Sequence, residues 1–154
     1  MKAIPADTPG ALSGIRVLDF TFVMSGPYCT RLMADLGADV IKIESKAGDL
    51  TRSRPPFRDG KSSYYASLNC GKRSIVLDLK TPDAREIVYA LVKEAEVVVE
   101  NFRPGVMQRL GLGYDELSAV NPRLVYCAIS GFGQGVSGDG KGAYAPTLHA
   151  MSGF

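Results

Sequence analysis

The 154-residue sequence contains no tryptophan, one histidine and three cysteines. The cysteines, Cys29, Cys70 and Cys127, are odd in number and widely spaced, so they predict neither a disulfide framework nor a zinc site. Reduced thiols are typical of the cytoplasm, which is the location that this pattern favours. The apolar runs are short, far below the roughly 18 residues of a membrane-spanning helix. The first ten residues carry one lysine and no apolar segment, so no secretory signal is expected.

A strong charge of one sign is also absent, because 18 Lys and Arg residues against 16 Asp and Glu residues leave a net charge of +2. That near balance argues against a nucleic-acid partner. The sequence has no GxGxxG, Walker, GxSxG or HExxH motif, so it predicts no dinucleotide fingerprint, nucleophile elbow or metalloprotease site. His149, the single histidine, is expected to be a packed helix residue rather than a catalyst.

What is present is an alternation of β-rich and helical segments. Hydrophobic residues make up 45% and charged residues 22%, which is typical of a soluble globular domain. Gly26-Pro27 opens a predicted helix that Gly37 ends, and Thr81-Pro82-Asp83 opens another. Two short helical pieces follow, and Asn121-Pro122 ends the second. The predicted strands cover 14–20, 38–44, 74–79, 97–100 and 124–129, and 45–69 is predicted as one long loop.

The predicted strands are apolar on both faces, which indicates a parallel sheet covered by helices on both sides. Ligands of such sheets bind where the strands end, so the loops at 21–27, 79–83, 101–105 and 130–141 are the candidate sites. The turn before Gly26 predicts either an anion site at a helix start or an ordinary βα turn. The loop at 101–105 either binds an anionic ligand or forms a helix entry capped by Asn101.

Basic residues are concentrated in the long loop and at the start of the third strand, and they predict either phosphate contacts or a solvated basic surface. They are Lys46, Arg52, Arg54, Arg58, Lys61, Lys72 and Arg73. The residues alone therefore predict an α/β domain that binds an anionic small molecule.

Several longer motifs follow one another in a specific order from Leu12 onward. They are LSGIRVLDF (12–20), GP (26–27), LGADVIKIE (36–44), GD (48–49), NCGKRSIVLDLK (69–80), ENFRPG (100–105), NPRLV (121–125) and SGFGQ (130–134). In this order the motifs resemble the class III CoA-transferases, the superfamily of formyl-CoA transferase, carnitine CoA-transferase and α-methylacyl-CoA racemase. The resemblance covers nearly the whole chain from Leu12.

The resemblance implies a Rossmann-like parallel sheet with flanking helices, as the N-terminal part of a larger subunit that interlocks with a second subunit as a homodimer. Residues 1–11 are then expected to be a flexible N-terminus, and 12–154 an incomplete large CoA-binding domain that the rest of the subunit or a second chain completes. The implied substrates are coenzyme A or an acyl-CoA and a small carboxylic acid, with no covalently bound cofactor, metal or membrane partner. The implied CoA contacts are Val23, Met24, Ser25, Leu77, Asp78, Leu79, Lys80, Asn101, Phe102, Arg103, Arg109 and Lys141.

The chemistry that the resemblance implies is covalent catalysis by an aspartate, which forms an aspartyl-CoA thioester. That aspartate is expected beyond Phe154, so the 154-residue chain alone is expected to be inactive. The racemase branch has a His-Asp pair where this sequence has Tyr144 and Ala145, which argues against a racemase. The alternatives to a CoA-transferase are an acyl-CoA isomerase, racemase or lyase of the same family, or a non-catalytic CoA-binding fragment.

Overall fold

The computed structural model describes residues 9–134 and 142–153. Within these ranges, five strands form one parallel sheet and two further short strands form a separate antiparallel pair. The strands are β1 (Arg16–Asp19), β2 (Asp39–Glu44), β3 (Phe57–Arg58), β4 (Lys61–Ser62), β5 (Arg73–Val76), β6 (Val97–Glu100) and β7 (Val125–Ala128). The helices are α1 (Ser25–Asp35), α2 (Ser63–Asn69), α3 (Pro82–Val92), α4 (Val106–Arg109), α5 (Tyr114–Val120) and α6 (Ala145–Ser152). No helix in these ranges is long and apolar enough to cross a membrane.

The sheet has the order β5-β2-β1-β6-β7, and every neighbouring pair is parallel. The chain runs outward from β1 through β2 to β5, and then returns to the other side of β1 with β6 and β7. The winding therefore reverses between β1 and β6, where sheets of this kind leave a crevice at the carboxyl ends of their strands. The predicted α/β fold with a parallel sheet is confirmed.

Local capping explains most of the helix boundaries that the sequence predicts. The Thr81 hydroxyl accepts a hydrogen bond from the Ala84 N–H at 3.3 Å, and Pro82 occupies the first turn of α3. Gly37 follows α1 with φ of +99°, a conformation that glycine adopts without strain. Each predicted strand is present, although β5 ends at Val76, three residues before its predicted end.

The prediction of one long loop at 45–69 is wrong. A 3₁₀ turn at Leu50–Ser53, the antiparallel pair β3–β4 and helix α2 occupy most of this segment. Asp49 accepts a hydrogen bond from the Thr51 N–H at the start of the 3₁₀ turn, and Ser62 caps α2. These caps order a stretch that has too few apolar residues to show helical periodicity.

Alternate residues of the central strands pack into two hydrophobic clusters, one on each face of the sheet. The larger cluster contains Leu18 and Val98 and is covered by α3 and α5, whereas the smaller cluster contains Val17 and Val99. All four of these side chains are at most 1% exposed. The sheet is therefore the centre of the protein, as the sequence predicts.

Four buried charged side chains interrupt the apolar strands, which corrects the prediction that both faces are apolar. Asp19, Lys42, Glu44 and Glu100 are each at most 6% exposed. Asp19, Glu44 and Glu100 are the last residues of β1, β2 and β6. The charged part of the interior thus lies directly beneath the edge of the sheet at which ligands are expected.

Candidate functional site

A cleft of about 330 Å³ opens at the carboxyl edge of the sheet, where β1, β6 and β7 end. Its lining residues are Phe22, Val23, Met24, Ser25, Asn101, Phe102, Arg103, Pro104, Ile129, Ser130, Gly131, Gly142, Ala143, Tyr144, Ala145 and Leu148. Six of the twelve predicted CoA contacts are among them. Apolar side chains and glycines form most of the wall, and Arg103 contributes the one formal charge among these lining residues.

Asn101 joins the two loops that form opposite walls of the cleft. Its carboxamide oxygen accepts a hydrogen bond from the Phe22 N–H at 2.9 Å, and its amide nitrogen donates to the Phe22 carbonyl at 2.8 Å. The rings of Phe22 and Phe102 lie 5.4 Å apart between their centroids, which adds an aromatic contact to the same junction. Asn101 is therefore not the helix cap of the alternative prediction, because Gly105 holds that position before α4.

The loop before α1 also rests on a buried ion pair. The Lys42 ammonium lies 3.3 Å from an Asp49 carboxylate oxygen, and both side chains are 1% exposed. The ammonium donates to the Thr21 carbonyl at 2.7 Å, and Asp49 accepts from the Val23 N–H at 3.3 Å. Sequence reasoning missed this pair, because Lys42 lies within an apolar strand and Asp49 within the supposed loop.

A second buried ion pair lies under the start of α1. The Lys72 ammonium donates to the Asp19 carboxylate, the Pro27 carbonyl and the Asn69 carboxamide oxygen, each at 2.9 Å. Burial lowers the pKa of Lys72, and the neighbouring Asp19 carboxylate opposes that shift. All three protons of the ammonium thus have acceptors, which is the condition for keeping a charge in the interior.

The start of α1 and Arg103 give the cleft a positive electrostatic character. Met24 occupies the N-cap position and makes no side-chain cap hydrogen bond with the described residues. Met24 and Ser25 are exposed and line the cleft, so the start of α1 lies at the cleft wall. The helix dipole adds partial positive charge there. The Arg103 guanidinium lies beside Gly142, where a Cβ atom would be 3.1 Å from it, and it forms no ion pair within the described ranges.

The other predicted CoA contacts do not line this cleft. Leu77 is 9% exposed and belongs to the larger hydrophobic cluster, whereas Asp78 and Lys80 are exposed in the turn that follows β5. Three strand spacings, roughly 14 Å, separate β5 from β6 along the same edge, a distance that an elongated ligand can bridge. Leu79 lies in that turn, Arg109 is exposed at the end of α4, and Lys141 lies outside the described residues.

Three of the seven basic residues that predict a phosphate site or a basic surface form ion pairs with carboxylates of the central strands, and only the Lys72 pair is fully buried. Arg52 pairs with Glu44, Lys72 with Asp19, and Arg73 with Asp39. The Arg73 hydrogen bonds hold the pKa of Asp39 below its usual value, although burial opposes them. Lys46, Arg54, Arg58 and Lys61 remain exposed, as on a solvated surface.

Glu100 lies buried next to the cleft wall. Burial raises its pKa to about 7, although its carboxylate accepts a hydrogen bond from the Phe102 N–H at 2.8 Å. On the neighbouring strand, the Tyr126 hydroxyl is buried and has no hydrogen-bond partner among the residues that the structure describes. The Ser130 hydroxyl, in the cleft lining, is buried in the same way. A polar interior therefore reaches the base of the cleft.

The segment at 142–148 lines the cleft but was not assigned as a CoA contact by sequence reasoning, and the same holds for Phe22, Pro104 and 129–131. Tyr144, Ala145 and Leu148 line the wall. The sequence signal that could have located this segment is that Tyr144 and Ala145 occupy the positions of the His-Asp pair in the racemase branch. His149 lies in α6 as predicted but is exposed rather than packed. In the described part of the chain, no group of three or more His, Cys, Asp or Glu side chains is arranged to hold a metal ion.

Comparison with known families and proteins adds to this geometry. The model of CoA-transferase family III matches residues 12–154. A succinyl-CoA:mesaconate CoA-transferase from Haloarcula hispanica is 50% identical over 135 residues, covering 84% of this chain and 34% of the relative. An acetyl-CoA:oxalate CoA-transferase from Acetobacter aceti is 47% identical over 154 residues, covering 99% of this chain and 40% of the relative.

Solved structures similar to this chain likewise match it over nearly its whole length. A CaiB/BaiF family protein from Brucella suis superposes with a TM-score of 0.89 at 40% sequence identity, covering 95% of this chain and 40% of that one. A hypothetical protein from Mycobacterium tuberculosis gives a TM-score of 0.86 at 37% identity, covering 94% of this chain and 40% of that one. The chain thus spans about two fifths or less of the length of these relatives.

Proposed function

The chain belongs to CoA-transferase family III, and from that premise we propose that the complete protein transfers coenzyme A from an acyl-CoA to a small carboxylic acid. The relatives named above act, by their names, on succinyl-CoA with mesaconate and on acetyl-CoA with oxalate. A small mono- or dicarboxylic acid is therefore the acceptor class that we propose here. The protein acts as a cytoplasmic homodimer in this proposal.

The observation that carries the proposal is the cleft at the switch point of the sheet. It combines an uncapped start of α1, the Arg103 guanidinium and an aromatic wall of Phe22 and Phe102. Such a site attracts a negatively charged group and also covers an apolar one, and coenzyme A carries both. Lys80 and Arg109 supply further positive charge on the same side of the sheet for the phosphates of an extended ligand.

The proposed reaction keeps the free energy of the thioester. An aspartate outside these 154 residues attacks the acyl-CoA carbonyl, which forms a mixed anhydride and releases the CoA thiolate. The thiolate attacks the aspartyl carbonyl, so the donor leaves as its carboxylate and an aspartyl-CoA thioester remains. The acceptor carboxylate then attacks this thioester, and the released thiolate attacks the acceptor carbonyl of the new anhydride. The products are a new acyl-CoA and the free aspartate.

The residues of this chain bind and orient the substrate in these steps. The first N–H groups of α1 and Arg103 hold anionic groups at the cleft, and Asn101 fixes the two walls relative to each other. Tyr144 and Ala145 line the cleft where the resemblance places the racemase His-Asp pair. Since neither side chain is a strong base, the cleft favours transfer over proton abstraction.

Calorimetry of the complete gene product with coenzyme A tests the binding role. Replacing Arg103 or Lys80 by alanine removes a charge-assisted contact and is expected to weaken binding about tenfold. Arg123→Ala is the matched control, because Arg123 is an exposed arginine that precedes β7 at the opposite edge of the sheet. Tight binding that does not depend on Arg103 or Lys80 would overturn the site assignment.

Chemical trapping tests the covalent step separately. After incubation with an acyl-CoA, hydroxylamine should convert the aspartyl thioester into a hydroxamate that peptide mass spectrometry locates on one aspartate beyond Phe154. Racemised acyl-CoA without any trapped aspartate would favour the isomerase alternative. Coenzyme A binding with neither turnover nor trapping would favour a non-catalytic binding protein.

A further inference from the structure

We propose that the buried pair of Lys42 and Asp49 positions the CoA-binding loop by holding Val23 in the left-handed backbone conformation. The inference rests on the proposed function, because coenzyme A is its ligand. Neither Lys42 nor Asp49 lines the cleft, so both act through the backbone of the loop above them.

Val23 has φ of +67°, which is unfavourable for a β-branched residue. The left-handed region brings Cβ close to the following carbonyl oxygen, so an L-residue avoids it unless its surroundings impose it. Such backbone conformations persist where neighbouring contacts over-determine them, and they cluster at ligand sites. Val23 lines the cleft and directly precedes Met24, the N-cap residue of α1.

Asp49 is the side chain that imposes this conformation. Its two carboxylate oxygens lie 3.3 and 3.4 Å from the Val23 nitrogen, and both accept from that N–H. One of the oxygens also accepts from the Thr51 N–H at 2.9 Å and from the Thr51 hydroxyl at 2.8 Å. The hydrogen bonds from Thr51 therefore fix the position of the carboxylate, and the Val23 backbone must adapt to it.

Lys42, in the central part of the sheet, adds a third set of contacts to this loop. Its ammonium pairs with Asp49 and also donates a hydrogen bond to the Thr21 carbonyl at 2.7 Å, so the position of the ammonium is fixed from two sides. Together with the Asn101 bonds to Phe22, each of the residues Thr21, Phe22 and Val23 is held by a different side chain. Three consecutive residues are thus fixed just before the exposed start of α1.

The consequence is a pre-organised binding loop. If Val23 relaxed to negative φ, the backbone of Met24 and Ser25 would change direction, and the start of α1 would shift relative to the cleft wall that it forms. Binding of coenzyme A would then have to restore the left-handed conformation and would be weaker by that cost. In the native protein, the Lys42–Asp49 pair has already supplied this ordering on folding.

The test compares the dissociation constant of coenzyme A among variants of the complete gene product. Asp49→Asn keeps the shape of the side chain but loses the charge that pairs with Lys42, and affinity is expected to fall about tenfold. Glycine adopts φ near +67° without a steric penalty. The double variant Asp49→Asn, Val23→Gly is therefore expected to bind coenzyme A about as tightly as Val23→Gly alone, so that the loss caused by Asp49→Asn largely disappears in the Val23→Gly background.

Asp59 provides the matched control for this rescue. It has φ of +51° in the turn between β3 and β4, away from the cleft. Adding Asp59→Gly to Asp49→Asn relieves a similar strain and should leave the affinity low. Recovery of affinity by Asp59→Gly would show that Asp49 only stabilises the fold and would overturn the positioning role.

Asp49→Asn leaves the Lys42 charge unpaired in the interior, so it can fail to fold. Val23→Pro then replaces it, because proline lacks the N–H that bonds to Asp49 and fixes φ near −65° while the ion pair stays intact. That variant should fold and bind coenzyme A at least tenfold more weakly. Wild-type affinity in either folded variant would overturn the inference.

A wild-type protein that does not bind coenzyme A would overturn the proposed function and the positioning role with it. Amide hydrogen exchange at Val23 distinguishes the two failures. Slow exchange in the wild type that becomes fast in Asp49→Asn would show that the contact holds the loop but serves no CoA site. Exchange that is equally fast in both would show that the contact itself is wrong.

Discussion

Asn101 forms hydrogen bonds with both backbone polar groups of Phe22, accepting from the N–H at 2.9 Å and donating to the carbonyl at 2.8 Å. The two residues are 79 positions apart and lie on the loops that follow β6 and precede α1. No other side chain of the same size supplies a donor and an acceptor in this arrangement. The shape of the cleft thus depends on one carboxamide.

Replacing Asn101 by aspartate removes the donor to the Phe22 carbonyl and places two oxygens against each other. We expect the free energy of unfolding to fall by about 1–3 kcal/mol and the affinity for coenzyme A to fall as well. Asn121→Asp is the matched control, because Asn121 donates to the Val92 and Ala95 carbonyls away from the cleft. Urea unfolding should show a loss for both variants, and calorimetry a loss of affinity for Asn101→Asp alone.

Replacing Lys72 by methionine tests the ion pair under α1. The Asp19 carboxylate is 0% exposed and would lose its cationic partner in the interior. Breaking a buried pair from one side costs about 3–5 kcal/mol, so the unfolding midpoint in urea should fall steeply. Lys93→Met makes the same chemical change at an exposed lysine and should stay within about 0.5 kcal/mol of the wild type. Equal stabilities for the two variants would show that the Asp19–Lys72 pair contributes nothing.

Gly26→Ala tests the close approach of α1 to the end of β1. Alanine is the better helix former by about 1 kcal/mol. A Cβ atom at position 26, however, would lie 2.4 Å from both Cβ and Cγ2 of the buried Thr21 side chain. Because Thr21 also bonds to Asp19, it cannot move aside freely, and we expect a net loss of about 1–3 kcal/mol. Ser25→Ala, at the preceding exposed residue, should change the stability by less than about 0.5 kcal/mol.

The sequence predicts the fold well, because its strands and helix starts are local signals. Thr81-Pro82 predicts a helix start through a hydroxyl cap, and Gly37 predicts a helix end through a positive φ. The structure has both boundaries where the sequence predicts them. The order of the strands does not follow from local signals, and the resemblance to class III CoA-transferases implies only a Rossmann-like parallel sheet. The prediction for 45–69 is wrong because this segment shows no hydrophobic periodicity, and single caps such as Asp49 and Ser62 order it instead.

The site is predicted only in part, because its architecture depends on contacts between distant residues. Val23, Asn101 and Arg103 line one cleft, and their contact with coenzyme A stays a prediction of the resemblance. The Lys42–Asp49 pair that holds Val23 has no sequence signal, since a lysine in an apolar strand normally indicates an edge or a surface. Its role is visible only when the Val23 backbone and the two buried side chains are seen together.

Glu100 gives the protein a pH-dependent stability that can be measured. Burial raises its pKa from an ordinary value of 4.5 to about 7, so between these values the folded state binds a proton that the unfolded state has lost. Stability contributed by the protonated form is therefore lost as pH rises from about 4.5 to 7, by up to about 3 kcal/mol, and is constant above that range. Glu100→Gln keeps an acceptor for the Phe102 N–H and cannot ionise. Urea unfolding from pH 5 to 8 should show the wild type losing stability relative to Glu100→Gln, and parallel curves would mean that Glu100 titrates normally.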